Sequence, residues 1–136
     1  IADMFRTITG GSFTRIEVDD IGDGSAGLIA VQSDWPDERK SVAQLSEGER
    51  DQLFLALRLA AIEDHVATAP PLPFICDDIL QTFDDARALA AMRALLQLSE
   101  HVQVILLSHH RHLAALGDQL PAGQIHLCEI RSPVAA

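Results

Sequence analysis

The spacing of apolar residues divides the chain into short helical and extended segments. Residues 1–9 resemble the last turns of a helix, which Gly10 and Gly11 would end. Phe13–Val18 alternates regularly between two faces, as a strand does, and Leu28–Gln32 follows as a second strand after a turn-forming segment. We therefore predict a β-hairpin near the N-terminus.

A longer helical pattern begins at Glu47 and continues to about Asp64. Ser46 has the chemistry of an N-cap, and Glu49, three residues later, would complete a capping box. The helix must end before the proline-rich tract at 70–73, because proline cannot continue it. This helix is the most clearly delimited element of the sequence.

Short apolar runs alternate with helical patterns in the rest of the chain. The predicted strands are Leu72–Cys76, Val102–Leu107 and Ile125–Ile130, and the predicted helices between them are Asp84–Leu98 and Arg111–Leu116. Strands that alternate with helices are typical of a parallel sheet with helical crossovers. The predicted class is therefore α/β, with parallel strands preceded by a β-hairpin.

Composition narrows the range of functions. The chain has 136 residues, 48% of them hydrophobic, and a formal net charge of −10, which fits one globular domain. A nucleic-acid surface normally carries a basic patch, and the basic residues here are scattered. Any DNA contact of a full-length parent is therefore expected outside this chain.

Cysteine usage and the apolar runs bear on the compartment. Cys76 and Cys128 lie far apart within apolar stretches, so both are predicted to be buried free thiols, which suits the cytoplasm. No apolar run approaches the roughly 20 residues that span a bilayer, so no membrane association is expected. The chain does not begin with Met, and we expect it to be a piece of something longer.

Asp77 and Asp78 follow a predicted buried strand directly. Adjacent carboxylates at such a place are costly unless a partner compensates them, and Mg²⁺ prefers oxygen ligands. One of the pair could then orient an attacking water. Alternatively, one of them caps a turn before the helix at Asp84, and the pair alone supports both interpretations equally.

Two further segments carry candidate chemistry. The helix start at Leu45–Glu49 exposes N–H groups that suit a phosphate, although this segment taken alone is better explained by an ordinary capping box. His109 follows a strand and could bond to a transferring phosphoryl group, although a solitary histidine at such a position is more often structural. A metal site of His109, His110 and His112 is not favoured, because adjacent histidines usually diverge and no cysteine or further histidine stands at ligand spacing.

The order of these segments resembles a known family. LSEGERDQLFLALRLA (45–60) resembles the ABC signature motif and its helix, and LPFICDD (72–78) the Walker B strand. ILQTFDDAR (79–87) resembles the D-loop, and VILLSHHRHL (104–113) the switch-histidine segment. The resemblance covers roughly residues 1–116 and is to the heads of SMC-like recombination-repair ATPases, particularly YhaN-like ones.

The resemblance implies the C-terminal lobe of a P-loop NTPase head, with residues 1–12 as the end of a coiled-coil helix and its turn and 13–136 as the lobe. It also implies residue roles. Gln52 would be structural. Ser46 and Gly48 would contact the γ-phosphate of ATP held by an opposing head. Asp77 would bind Mg²⁺, and Asp78 would stand in place of the usual catalytic Glu. Asp84 would communicate across the dimer, and His109 would be the switch histidine.

The sequence departs from the family pattern in one large respect. It contains no GxxxxGK[ST] loop and no Q-loop, and its only lysine, Lys40, follows no glycine-rich loop. The resemblance places both elements in an N-terminal ATPase lobe, so the implied partners are that lobe and a second head in a homodimer.

The implied function is ATP hydrolysis with Mg²⁺ in DNA repair or chromosome maintenance, with the isolated chain inactive. The shorter carboxylate at Asp78 leaves open an ATP-gated clamp or scaffold without catalysis. A metal-dependent nuclease or phosphatase using Asp77, Asp78 and His109 is a weaker alternative, because it leaves the signature-like helix unexplained.

Overall fold

A computed structural model describes residues 2–20, 24, 26–35 and 37–130. Residue 1 of the first predicted helix, part of the predicted turn between the first two strands, Pro36 and the last six residues of the predicted lobe lie outside these ranges. The described residues form ten elements: an N-terminal helix, a three-stranded antiparallel sheet, a short 3-10 turn, and then helices alternating with two parallel strands.

The N-terminal helix α1 (Ala2–Ile8) ends where the glycines predict. Gly10 and Gly11 have φ angles of 61° and 85°, which L-residues with a Cβ rarely adopt. Phe5 and Ile8 are fully buried, and the Phe5 ring stacks on Phe13 with centroids 5.1 Å apart. The helix is therefore anchored to the molecule through one apolar face.

The predicted hairpin is present as β1 (Phe13–Asp20) and β2 (Ala26–Gln32). A third strand, β3 (Arg39–Ser41), pairs with β2 and was not predicted, because three polar residues carry no apolar alternation. The expected regular alternation of β1 is interrupted by a bulge between Phe13 and Arg15. The extra residue at a bulge shifts the facing of the side chains that follow.

The 3-10 turn Val42–Gln44 leads into the long helix α2 (Glu47–Val66). The predicted capping box is confirmed: Glu49 N donates to Ser46 Oγ at 3.3 Å, and Ser46 N donates to Glu49 Oε2 at 2.7 Å. Leu53 and Leu59 of this helix are buried, so its apolar face packs into the core as the sequence pattern predicts.

The rest of the fold is β4 (Phe74–Asp77), α3 (Asp85–Leu98), β5 (Val104–Leu107) and α4 (Arg111–Gly117). β4 and β5 pair in parallel with Cα partners from Phe74–Val104 to Asp77–Leu107. This confirms the predicted strand–helix–strand unit. The carboxyl ends of the two strands therefore lie side by side.

The predicted strand at 125–130 is wrong. These residues form no regular secondary structure, and Leu127 and Ile130 are 78% and 84% exposed. An apolar run becomes a strand only when its backbone pairs with a neighbour, and no such pairing joins this segment to the described strands. Cys128 is consequently exposed, against the prediction that it is buried, whereas Cys76 is buried as predicted.

Side chains on one face of the β4–β5 sheet are packed against the core, whereas those on the other face are exposed. Phe74, Val104 and Leu106 pack against the main core, and Cys76 is 1% exposed. The opposite face carries Ile75, which is 61% exposed. Parallel sheets are normally covered on both faces. One apolar face of this sheet is therefore uncovered by the described residues.

The lengths and apolar content of the helices bear on the prediction that the chain does not associate with a membrane. Among the described residues, none of the helices is long and apolar enough to traverse a bilayer.

Candidate functional site

Asp78 lies at the centre of a polar cluster above the ends of β4 and β5. Ser108 Oγ donates to Asp78 Oδ1 at 3.0 Å, and His109 Nδ1 lies 2.8 Å from Asp78 Oδ2. His110 N donates to Ser108 Oγ at 3.2 Å. The parallel pairing thus brings together two polar segments that are about thirty residues apart in the sequence.

The backbone of Asp78 is unusual. Its φ angle of 48° makes it the only non-glycine residue with a positive φ among the described ranges. Asp tolerates this region better than most residues, but the conformation persists only where neighbouring contacts hold it. Here Asp78 N donates to Leu107 O at 3.0 Å, which ties the turn to β5. The strained position fixes the direction in which the carboxylate leaves the chain.

The surroundings of Asp78 also set its charge. Partial burial acts to raise the pKa of the carboxyl, but the hydrogen bonds with His109 and Ser108 outweigh burial, so the pKa lies below its ordinary value. Asp78 is therefore an anion at neutral pH. With 70% of the His109 side chain exposed, the cluster is open to ligands from the solvent.

Asp77 is the last residue of β4, and it is exposed. Its Cα pairs with that of Leu107, so it stands at the same end of the sheet as the Asp78 cluster. An exposed carboxylate at a strand end is chemically suited to a Mg²⁺ ion that keeps most of its waters. Asp77 and Asp78 thus occupy one sheet edge but have different environments.

The capping alternative for the aspartate pair is not supported. The side chain of Asp78 bonds to the neighbouring strand end, and α3 is capped by Asp84, whose Oδ1 accepts from Arg87 N at 2.8 Å. Arg87 Nε also lies 3.5 Å from Asp84 Oδ2. Asp84 therefore has a structural task at the start of α3.

The start of α2 forms a second cluster. Ser46 is exposed at the N-cap, and a Cβ added to Gly48 would lie 3.4 Å from Thr82 O and 3.6 Å from Arg87 Nη1. Thr82 Oγ1 donates to Asp51 Oδ2 at 2.7 Å. The first turn of α2 thus packs on the segment 79–84, which connects Asp78 to Asp84.

The expectation that the adjacent histidines diverge is wrong. The ring centroids of His109 and His110 are 4.0 Å apart at an interplanar angle of 36°, and those of His110 and His112 are 5.5 Å apart. The turn from β5 into α4 produces this approach, because His110 is the N-cap of α4 and has extended backbone angles.

Gln52 is structural, as the sequence suggests. It is fully buried, and its Nε2 donates to Ile8 O at 3.2 Å, which ties α2 to α1. Its Oε1 has no partner among the described residues.

Several members of these clusters were not found from the sequence. Ser108 as a partner of Asp78, and the Thr82–Asp51 bond, depend on contacts between residues about thirty positions apart. Ser108 had a usable signal, since it directly follows a buried strand, as Asp77 does. Thr82 had none, because a threonine in a loop is common.

Comparison with solved structures identifies the fold. An SMC head structure determined in work on ATP-driven dimerization and DNA-stimulated activation of SMC ATPases aligns with a TM-score of 0.62 and 20% identity over 86% of this chain and 71% of that one. The chain has the fold of part of an SMC head.

Other SMC heads align in the same way. The SMC head bound to the C-winged helix domain of ScpA gives a TM-score of 0.62 at 21% identity, and covers 85% of this chain and 34% of that one. The SMC head domain from Thermotoga maritima gives 0.57 at 21% identity, over 85% of this chain and 40% of that one. The chain therefore spans less than half of these two structures.

Comparison of the sequence with protein families and curated proteins gives no match. The resemblance to SMC-like heads is thus confirmed through the fold.

Proposed function

We propose that the chain is the C-terminal ATPase lobe of an SMC-like head, which binds and hydrolyses ATP with Mg²⁺ when an N-terminal lobe completes it. Two such heads would enclose nucleotide between them. The observation that carries the proposal is the Asp78–His109 pair, 2.8 Å apart at the carboxyl ends of two parallel strands. Ligands of α/β sheets collect at this edge.

The residues present fit one part of an ATP–Mg²⁺ site. Asp77 would hold the metal, since its exposed carboxylate offers oxygen ligands beside a position for phosphate. Magnesium, when bound, supplies positive charge that offsets the charge developing on the phosphoryl oxygens. The chain has no phosphate-binding loop, and Lys40 lies in the short strand β3. The loop that binds the phosphates would therefore be supplied by the N-terminal lobe.

The uncovered face of the β4–β5 sheet fits the same conclusion. Ile75 is 61% exposed and Leu107 36% exposed in strands whose other face is packed. An N-terminal lobe that extends the sheet and covers this face would remove that apolar surface from water.

The chain's own groups can perform distinct tasks. Asp78, held anionic, would orient the attacking water and accept its proton. His109, tethered to Asp78 through Nδ1, would present its other ring nitrogen to the transferring phosphoryl group. Ser108 holds the second oxygen of Asp78 and so limits rotation of the carboxylate.

The first turn of α2 would act on the opposing head. Ser46 and Gly48 stand at a helix N-terminus, where free N–H groups and the helix dipole favour a phosphate. Asp84 is the last residue of the segment 79–84, which packs on Gly48, and it would relay the state of one site to the other. We infer that the complete protein works in the cytoplasm in DNA repair or chromosome maintenance.

The test compares the completed head with Asp77→Ala in that head. We expect the completed head to hydrolyse ATP with Mg²⁺ and Asp77→Ala to abolish turnover. Unchanged turnover would remove Asp77 from the metal site. Metal-dependent cleavage of phosphate esters by the chain on its own would instead favour a nuclease or phosphatase.

A second candidate is an ATP-gated clamp without catalysis. The observation that favours it is that both Asp78 oxygens are already engaged, one by Ser108 and one by His109. Asp is also shorter than the Glu usual at this place, so it reaches less far towards a water. Single-turnover measurement on the completed head separates the two, because a clamp binds ATP and releases no phosphate.

A further inference from the structure

Asp78, His109 and His110 bring three metal-ligating side chains together above the ends of β4 and β5. Each offers one ligand atom that lies within 4.8 Å of those of the other two. The Asp78 carboxylate and His109 ring are already in hydrogen-bonding contact, and the two histidine rings approach to 4.0 Å. The convergence is a result of folding, since 31 positions separate Asp78 from His109.

The donor set selects the kind of ion. Two imidazole nitrogens and one carboxylate oxygen suit zinc and similar transition ions, whereas magnesium prefers oxygen donors alone. We propose that Asp78, His109 and His110 form a chelating site for a divalent transition-metal ion such as Zn²⁺. Three protein ligands with a remaining open position is a common arrangement for exposed zinc.

The distances require only side-chain adjustment. Ligand atoms around tetrahedral zinc lie about 3.3 Å apart, given zinc–ligand bonds of about 2.0–2.1 Å. The Asp78–His109 pair would open slightly from 2.8 Å, and His110 would close the remaining gap by ring rotation. His109 is exposed and His110 half-buried, so neither ring is enclosed in the core.

The site also has a supporting shell. Ser108 Oγ donates to the Asp78 oxygen that faces away from His109, and it accepts from the backbone N of His110. One hydroxyl therefore orients the Asp78 carboxylate and ties it to the backbone at His110, where α4 begins. Such outer contacts fix the direction of ligand atoms and raise metal affinity.

One consequence rests on the proposed function. A transition ion held here would occupy Asp78 and His109, the two groups assigned to phosphoryl transfer, and would compete with that chemistry. Zinc binding itself needs no nucleotide, so a zinc titration of the full chain tests the metal site independently of the ATPase proposal.

The experiment is calorimetric titration of the full chain with ZnCl₂, beside His110→Ala and the matched control His101→Ala. His101 is an exposed histidine outside the cluster. We expect one ion per chain, affinity weakened about ten-fold or more in His110→Ala and in Ser108→Ala, and unchanged affinity in His101→Ala. MgCl₂ should not displace the zinc.

Circular dichroism of each variant establishes that it is folded. Titration of the unaltered chain with CoCl₂ gives an independent readout, because cobalt bound by nitrogen and oxygen ligands in a tetrahedral site absorbs visible light much more strongly than the octahedral hydrated ion. Equal zinc affinity in the chain and in His110→Ala would overturn the proposal. Absence of saturable binding with either metal would overturn it as well.

Discussion

The two sheets of the molecule differ in how completely the chain covers them. In the antiparallel sheet, Ala30 and Val31 of β2 are buried, and charged side chains occupy the outer surface of the hairpin. Arg39 Nη2 lies 2.9 Å from Glu17 Oε2 and 2.5 Å from Asp19 Oδ2. The outer surface of this sheet is therefore mostly polar, and Val18 of β1, 71% exposed, is its exposed apolar side chain.

The parallel sheet is different, because its outward face is apolar and its carboxyl edge carries the polar cluster. Ile75 and Leu107 are exposed on strands whose other face is packed. An antiparallel sheet can keep one polar face in water, whereas a parallel sheet is normally enclosed. The uncovered apolar face thus belongs to the same sheet that carries Asp77, Asp78 and His109.

The largest expected effect concerns the polar edge of the parallel sheet. In the completed head, Asp78→Ala should slow single-turnover ATP hydrolysis about 10²- to 10⁴-fold, as loss of a group that activates water does. The control is Asp118→Ala, an exposed aspartate next to α4. Hydrolysis by Asp78→Ala at the control rate would show that another group activates the water, whereas no hydrolysis by either protein would favour the clamp.

The next prediction contrasts the packed and the uncovered apolar surfaces. Leu59 is fully buried, so Leu59→Ala should lower the free energy of unfolding by about 2–5 kcal/mol. Ile75→Ala, in the isolated chain, should lower it by less than about 1 kcal/mol, because Ile75 is already 61% exposed. Urea unfolding measures both. Equal losses would mean that Ile75 is covered within this chain.

A smaller effect is expected at the start of α2. The hydrogen bonds with Ser46 and the nearby charges of Lys40 and Arg87 outweigh partial burial and hold the pKa of Glu49 below its ordinary value. Glu49→Ala should therefore cost about 0.5–1 kcal/mol at neutral pH, reduced by solvent exposure.

The sign of the pH dependence follows from this lowered pKa. The stability that Glu49 contributes is present above its unfolded pKa and is lost as the pH falls through the lower folded pKa. The gap in unfolding free energy between the chain and Glu49→Ala should thus close in acid. Glu49→Gln, which can still reach Ser46 N, is the matched control. A gap that stays constant down to strongly acid pH would contradict this assignment.

The smallest effect is expected on the antiparallel sheet. Arg39 and Asp19 are exposed and Glu17 is half-buried, and ion pairs open to solvent add little stability because water and salt compete for them. Arg39→Ala should leave the urea midpoint unchanged at physiological salt. A clear loss of stability would show that these charges contribute more than surface pairing.

How much of the fold the sequence predicts depends on whether the signal is local. Helix α2 is delimited by Ser46, Glu49 and an apolar stripe, and all of these act within one or two turns. The pairing of β4 with β5 follows from the alternation of strands and helices. Strand β3 is not predictable from the sequence because it consists of three polar residues. A strand was wrongly predicted at 125–130 because an apolar run does not specify a partner strand.

In the candidate site as well, the features with a local sequence signal are predictable and those that depend on distant contacts are not. The placement of Asp77, Asp78 and His109 at strand ends is predictable from the chain order. The bonds of Asp78 with Ser108 and His109, and the close approach of the His109 and His110 rings, depend on the positive φ of Asp78 and the tight start of α4, which no residue pattern encodes.

The most direct measurement of the central claim is calorimetric titration of Mg²⁺–ATP into this chain alone and into this chain joined to an N-terminal lobe that carries the phosphate-binding loop. We expect no heat of binding for the chain alone and saturable binding of one nucleotide per joined head. Tight binding by the chain alone would contradict the claim, and so would a folded, joined head that binds no nucleotide.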